Sequence, residues 1–310
     1  MPLRHLQPAL DTLAAVLTLV EQLMSAPCPG PAPLPGSSLI SALVRLLKLD
    51  EGSIIASGRA PPSSSMFTEL CRAMPSIRSC AWRLIGLLIG LCGPCLCPLH
   101  PSLGRLMTDA LRRLKARGAG ALSVVGAQER QSLYQALIDL VHAGGVSAGK
   151  QLASEALSVA MIELYASLPS ERVEGKTMVE DRVTKKAKLS VSESASLSHN
   201  GLKTKNTAVT HLDSEISVQS AMLSLLEALL KSFGPLMQAS MRSHFDSLSI
   251  HMASCISDAA TASIRDPAGL LSENHATALD KLRIISYQLL FASLTVPAGH
   301  RPPYLSQVRK

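Results

Sequence analysis

The sequence predicts an all-α protein, and three observations lead there. Leucine supplies 51 of the 310 residues, whereas aromatic residues make up only 3%. Strand-rich folds draw on β-branched and aromatic side chains instead. Apolar residues recur at helical spacing along most of the chain, and no segment alternates apolar and polar residues as a half-buried strand would. Charged residues are 17% of the chain, too apolar a balance for a wholly disordered protein. The length fits one large domain or two small ones.

Start and stop signals then give the elements in order. A first helix runs from Leu6 to Met24 and ends at the loop carrying Pro27, Pro29, Pro31, Pro33 and Pro35. A second, with Ser37 or Ser38 as its cap, carries Leu39 to Leu49 and stops near Gly52. Beyond Pro61 and Pro62 come a short helix over Ser65 to Met74 and a more buried one over Ile77 to Cys92. Residues 103–114 show the clearest two-faced pattern. Leu103, Leu106, Met107, Ala110, Leu111 and Leu114 fall on one side, Arg105, Asp109, Arg112 and Arg113 on the other, and Gly118 is the expected stop. A helix around Leu133, Leu137, Leu140 and Val141 stops at Gly144 and Gly145, and Ser147 opens another that reaches Leu168.

From residue 169 to 212 the periodicity vanishes into Ser, Thr, Lys and Glu, so a disordered linker is expected there. Helices resume from Asp213 to Phe233, from Pro235 at a first-turn position to Ala259, and from Ser272 to Leu294. Pro297, Pro302 and Pro303 mark a flexible tail over 299–310. The expected layout is a helical region over 1–168, the linker, and a continued helical region over 213–298. Successive antiparallel helices with short loops and no exact repeat predict a degenerate HEAT- or armadillo-like α-solenoid with one disordered insertion.

The seven cysteines are odd in number, and Cys92, Cys95 and Cys97 crowd together, which favours a reducing compartment over an extracellular disulfide framework. Met1 to Met24 has the rough outline of a secretion signal, but Asp11 and Glu21 bracket its apolar stretch. The apolar run from Leu84 to Leu99 is broken by Gly86, Gly90, Gly93, Pro94 and Pro98, and is too short for a membrane span, which needs about 20 residues. No membrane association is expected. The net charge of +7 allows a partner rich in phosphate or carboxylate without requiring one.

Several motifs carry a chemical suggestion. Residues 144–150 match the spacing GxxxxGK of a phosphate-binding loop, but Gln151 stands where a magnesium-holding hydroxyl belongs and a helix, not a strand, precedes it. A glycine-rich turn between helices explains them better. Cys92 and Cys95 spell a thioredoxin-type pair, yet Cys92 ends a helix instead of beginning one. With Cys97 and His100 they have zinc-ligand atoms, in a cramped, proline-stiffened arrangement unlike two separate knuckles. No metal or other cofactor and no catalytic residue is expected.

Three LxxLL strings occur: Leu43, Leu46 and Leu47; Leu84, Leu87 and Leu88; Leu226, Leu229 and Leu230. A helix bearing this pattern can lay its leucines in a partner's groove. In so leucine-rich a chain, helix core is the stronger reading of each. Lys185, Lys186 and Lys188, with Arg182 upstream, form a short basic cluster in the expected linker, where a nuclear import receptor could reach it. Arg112, Arg113, Lys115 and Arg117 could touch phosphates, but cations at a helix C-terminus also complement the dipole, and no aromatic platform accompanies them. Sequence-specific nucleic-acid binding is not expected.

Taken in order, these features resemble the proline-, glutamic-acid- and leucine-rich protein family, the animal counterpart of the yeast Rix pre-rRNA-processing subunit. The matching stretches are Leu43 to Leu47 leading to Gly52, Met74-Pro75-Ser76-Ile77 with the Leu84 to Cys92 run, and Arg130 to Gly149. Lys185 to Leu189, Phe233-Gly234-Pro235-Leu236-Met237 with Arg242 and His244, and the Leu279 to Leu294 helix complete the set. The family's helical region is longer on its N-terminal side and is followed by a proline- and glutamate-rich tail. Against that pattern the chain is expected to be a fragment, a truncated gene model or a reduced member covering the C-terminal part of the helical region.

The resemblance implies a non-enzymatic scaffold of the nucleus and nucleolus. It would act in large ribosomal subunit biogenesis and rRNA processing, with WD-repeat and helical-repeat subunits and the pre-60S particle as partners. An AAA ATPase and a SUMO protease are implied further partners, and a second copy of the chain, as a homodimer, is a further expected partner. The alternative is a nuclear receptor coactivator or chromatin adaptor that uses the LxxLL helices.

Overall fold

The computed structural model describes residues 6–27, 35–49, 65–122, 126–167, 204–265 and 273–297. Among them there is no strand. The helices are α1 (Leu6–Ser25), α2 (Gly36–Lys48), α3 (Ser65–Cys92), α4 (His100–Leu122), α5 (Ala127–Ser167), α6 (Thr204–Phe233), α7 (Ala239–Arg265) and α8 (Glu273–Thr295). Short 3-10 segments over Gly93–Leu99 and Gly234–Leu236 join α3 to α4 and α6 to α7.

Several boundaries differ from the sequence reading, each for a local reason. Pro75 does not split Ser65–Met74 from Ile77–Cys92, and one helix of 28 residues runs through it. Its ring packs beside Gly126, where an added Cβ would lie 3.4 Å from the proline Cβ. Ser37 and Ser38 do not cap α2; the chain is already helical at Gly36, behind Pro35, with no side-chain cap. Gly118 does not stop α4, which continues to Leu122. α6 begins at Thr204, upstream of Asp213, where Ala208, Val209 and Leu212 already carry helical spacing. Pro235 opens the 3-10 turn and not the helix, which begins at Ala239. The rest of the expected linker and the 299–310 tail lie outside the described residues.

α5 is two helical limbs folded back on each other at Gly145, whose φ of 53° and ψ of −131° no side-chain-bearing residue adopts readily. The limbs are held by a buried ion network. Arg130 on the first limb pairs with Glu163 on the second, and its other Nη reaches Glu215 on α6 at 2.6 Å. The Tyr134 hydroxyl donates to the second oxygen of Glu163. Arg130 and Glu163 are each only 2% exposed, so the charges face each other almost without water. Burial pushes the Tyr134 phenol well above its ordinary pKa, which keeps it a neutral donor, and raises the Glu163 carboxyl despite Arg130.

The other helices pack on this folded pair. α3, α4 and α6 all lie against α5, and α1 and α2 lie against α3. Ser79 and Ser132 hydroxyls meet at 2.8 Å across the α3–α5 contact. From Ser214 to Leu230 α6 is buried or half-buried all round, with Met222, Leu223, Leu225, Leu226, Leu229 and Leu230 inside the core. α8 lies against both α6 and α7. There Arg242 pairs with Asp246 at 2.9 Å and donates to the Ser293 carbonyl, while the Ser293 hydroxyl donates to Asp246.

Removing one member of the central pair strands the other charge in the core. Arg130→Ala is expected to lower unfolding free energy by about 3–5 kcal/mol, whereas Arg130→Met with Glu163→Leu and Tyr134→Phe, which removes the hydroxyl that Glu163 accepts from, recovers most of that loss. Urea denaturation of the two variants checks it.

Candidate interaction surfaces

All three LxxLL strings are core. Leu43 and Leu47 bury against the α3 side, Leu84 and Leu88 sit inside α3's packed face, and Leu226, Leu229 and Leu230 have no exposed area; Leu46 and Leu87 are half-buried. A receptor groove could take the 226–230 leucines only if α6 left the core. Gly144 to Lys150 form the reversal of α5, preceded by helix. Gly149 has its own reason to be glycine: a Cβ there would lie 2.6 Å from the Phe233 Cβ of α6.

Cys92 closes α3, and Cys95 and Cys97 stand exposed in the following 3-10 turn. Among the described residues no three His, Cys, Asp or Glu side chains gather as a metal site would need. Of the basic end of α4, Arg112 and Lys115 both reach Glu155 on α5, at 3.0 and 3.6 Å, so these cations serve a helix contact. Lys185, Lys186 and Lys188 lie outside the described residues.

The stretch from Leu84 to Leu99 is not one apolar run in space, since α3 ends at Cys92. Counted from Phe67, however, α3 is long and apolar enough by length and composition to cross a membrane, as is Ser214–Leu236. In each, 56% of the apolar window is buried against other helices, the position of a core helix.

Among the described residues, Leu49, Leu91, Val146, Tyr165 and Leu236 are exposed at separate places, whereas on the outer helices exposed apolar residues line up. Val16, Leu19 and Leu23 form an exposed stripe at helical spacing on α1. Ile284, Tyr287, Phe291 and Leu294 do the same on α8, with Phe291 68% exposed. Beside the α8 stripe a shallow groove of about 430 Å³ runs between α6 and α8, edged by the Glu227–Lys231 ion pair. Contiguous apolar surface of this kind marks contact sites more often than chance exposure does.

A second depression, of about 360 Å³, lies where α1, α3 and α5 meet. Its lining includes Trp82, Leu87, Gly90 and Leu91 of α3 and Asp139 of α5. Asp139 is half-buried; its oxygen accepts from the Gln135 amide at 3.3 Å. Burial pushes its carboxyl upward, offset in part by Gln135 and His142. The sequence reading did not foresee this groove, although Gly86 and Gly90, one turn apart inside an apolar helix, were its visible trace. No family model, no curated protein and no solved structure matches the chain.

Two outcomes follow from this placement. Leu226→Ala should cost about 2–5 kcal/mol of stability, as cavity-forming core substitutions do, read by denaturant titration. Asp139 has a folded-state pKa above its unfolded one, so its contribution to stability is full below the ordinary carboxylate range and is lost as pH rises through the folded value. Asp139→Asn should therefore raise the melting temperature at neutral pH, with the gain shrinking as pH falls into that range.

Proposed function

We propose that the chain is a non-enzymatic nuclear scaffold subunit of a Rix-type complex, acting in large ribosomal subunit biogenesis and rRNA processing. The reading rests on the ordered sequence resemblance. The observation that carries it in the fold is the pair of uncovered apolar stripes on α1 and α8, at opposite ends of the helical order, which suit a protein that works by contact.

A HEAT- or armadillo-like solenoid is part of the same proposal, and a recurring unit supports it. α3 leaves through a Gly-Pro 3-10 turn to α4, and α5 then packs on both. α6 leaves through a Gly-Pro 3-10 turn to α7, and α8 packs on both. The coactivator alternative needs displayed LxxLL leucines, and the burial of all three strings speaks against it in the folded chain.

The test is affinity purification of the tagged chain from nuclei. WD-repeat and large-subunit precursor proteins are expected with it, and recovery of neither rejects the proposal. Ile284→Asp with Phe291→Asp should reduce that recovery severalfold. Stability should change by only about 0.5 kcal/mol per site, the range for surface substitutions.

A further inference from the structure

We propose that the groove between α1, α3 and α5 is a docking site for a protein partner that inserts a lysine or arginine side chain against Asp139. This deepens the scaffold reading and rests on it only in taking the occupant to be a protein.

The groove is shaped by what α3 lacks. Gly86 and Gly90 remove side chains from successive turns of the helix. A Cβ at Gly86 would lie 2.7 Å from Asp139 Oδ2, so the carboxylate comes right up to the α3 backbone. At Gly90 a Cβ would meet nothing within 4 Å, and that space stays open. Trp82, Leu87 and Leu91 line it, with Leu91 more than half exposed.

Charge decides the occupant. The cation on the groove wall is Arg83, and it is committed: its Nε donates to both Glu21 oxygens at 2.9 and 3.2 Å, and its Nη2 donates to one of them at 2.9 Å. Glu21 and Arg83 cancel, which leaves Asp139 as the groove carboxylate without a lysine or arginine, its charged neighbour being the His142 imidazole one turn away on α5. Among the described residues no lysine or arginine pairs with it, and its hydrogen-bond partner is a neutral amide.

A half-buried carboxylate among leucines attracts a cation more strongly than one in open water, because the surrounding dielectric is lower. Lysine and arginine also carry an apolar stem, which can lie along Leu87 and Leu91 while the charged end meets the carboxylate. A volume of about 360 Å³ accommodates one long side chain with an apolar neighbour, not a second helix. The partner motif is therefore a basic residue flanked by an apolar one, and an acidic segment is excluded by Asp139.

The experiment is panning of a displayed random dodecapeptide library on the purified full chain, with counter-selection on Gly90→Leu, which fills the open space. The enriched peptides should carry lysine or arginine next to an apolar residue. A synthetic copy should lose affinity about tenfold or more on Asp139→Asn and on Gly90→Leu, as removal of one partner of a desolvated charge pair or of its space does. Circular dichroism should show both variants as helical as the parent. No enrichment, enriched peptides without a cation, or a copy that binds Asp139→Asn as well as the parent would each overturn the proposal. Peptide selection does not depend on which complex is recovered from nuclei, so the docking site and the scaffold role fail separately.

Discussion

One guanidinium holds the architecture in register. Arg130 is buried where the two limbs of α5 and the start of the described α6 face converge, and it reaches Glu163 on one and Glu215 on the other. Apolar helix faces slide past one another with modest penalty, because one leucine contact resembles the next. A charge pair without water does not, since a shift of one residue would leave two desolvated ions unmatched. The limbs of α5 are therefore fixed against each other and against α6. α3 and α4 take their positions from α5, and α1 and α2 take theirs from α3.

The second half of the chain uses the same device at a smaller scale. Arg242 and Asp246 sit one turn apart on α7, and Ser293 of α8 engages both, through its carbonyl and its hydroxyl. Polar locks of this kind fix where leucine-rich helices meet, while the leucines supply the area that leaves water. Among the described residues, the exposed apolar stripes at helical spacing lie on the outer faces of α1 and α8.

Helix content and most helix positions were legible, because periodicity and glycine or proline punctuation act locally. Gly144 and Gly145 announced the reversal of α5, and Asp213 to Phe233 read as one helix. The misplaced ends were those set by tertiary context. Pro75 reads as a breaker, yet α3 continues through it because Trp82, Ile85 and Ile89 beyond it are anchored in the core. The groove at Asp139 left only the Gly86 and Gly90 pair as a trace, since its walls come together only where three helices distant in sequence meet. The LxxLL strings show the converse: a sequence pattern suited to display was used instead for packing, and only burial distinguishes the two.

The arrangement of α6, α7 and α8 bears on how the chain is made. α8 packs against both helices before it, so on a translating ribosome α6 and α7 emerge well before the element that joins them. Until residue 293 leaves the exit tunnel, Asp246 lacks its hydroxyl donor from Ser293, and Arg242 lacks the carbonyl it will bond. The leucines of α6 that α8 will cover remain open for the same interval. Closure of the α6–α7 pair thus waits on α8, the element that brings Ser293 to Arg242 and Asp246.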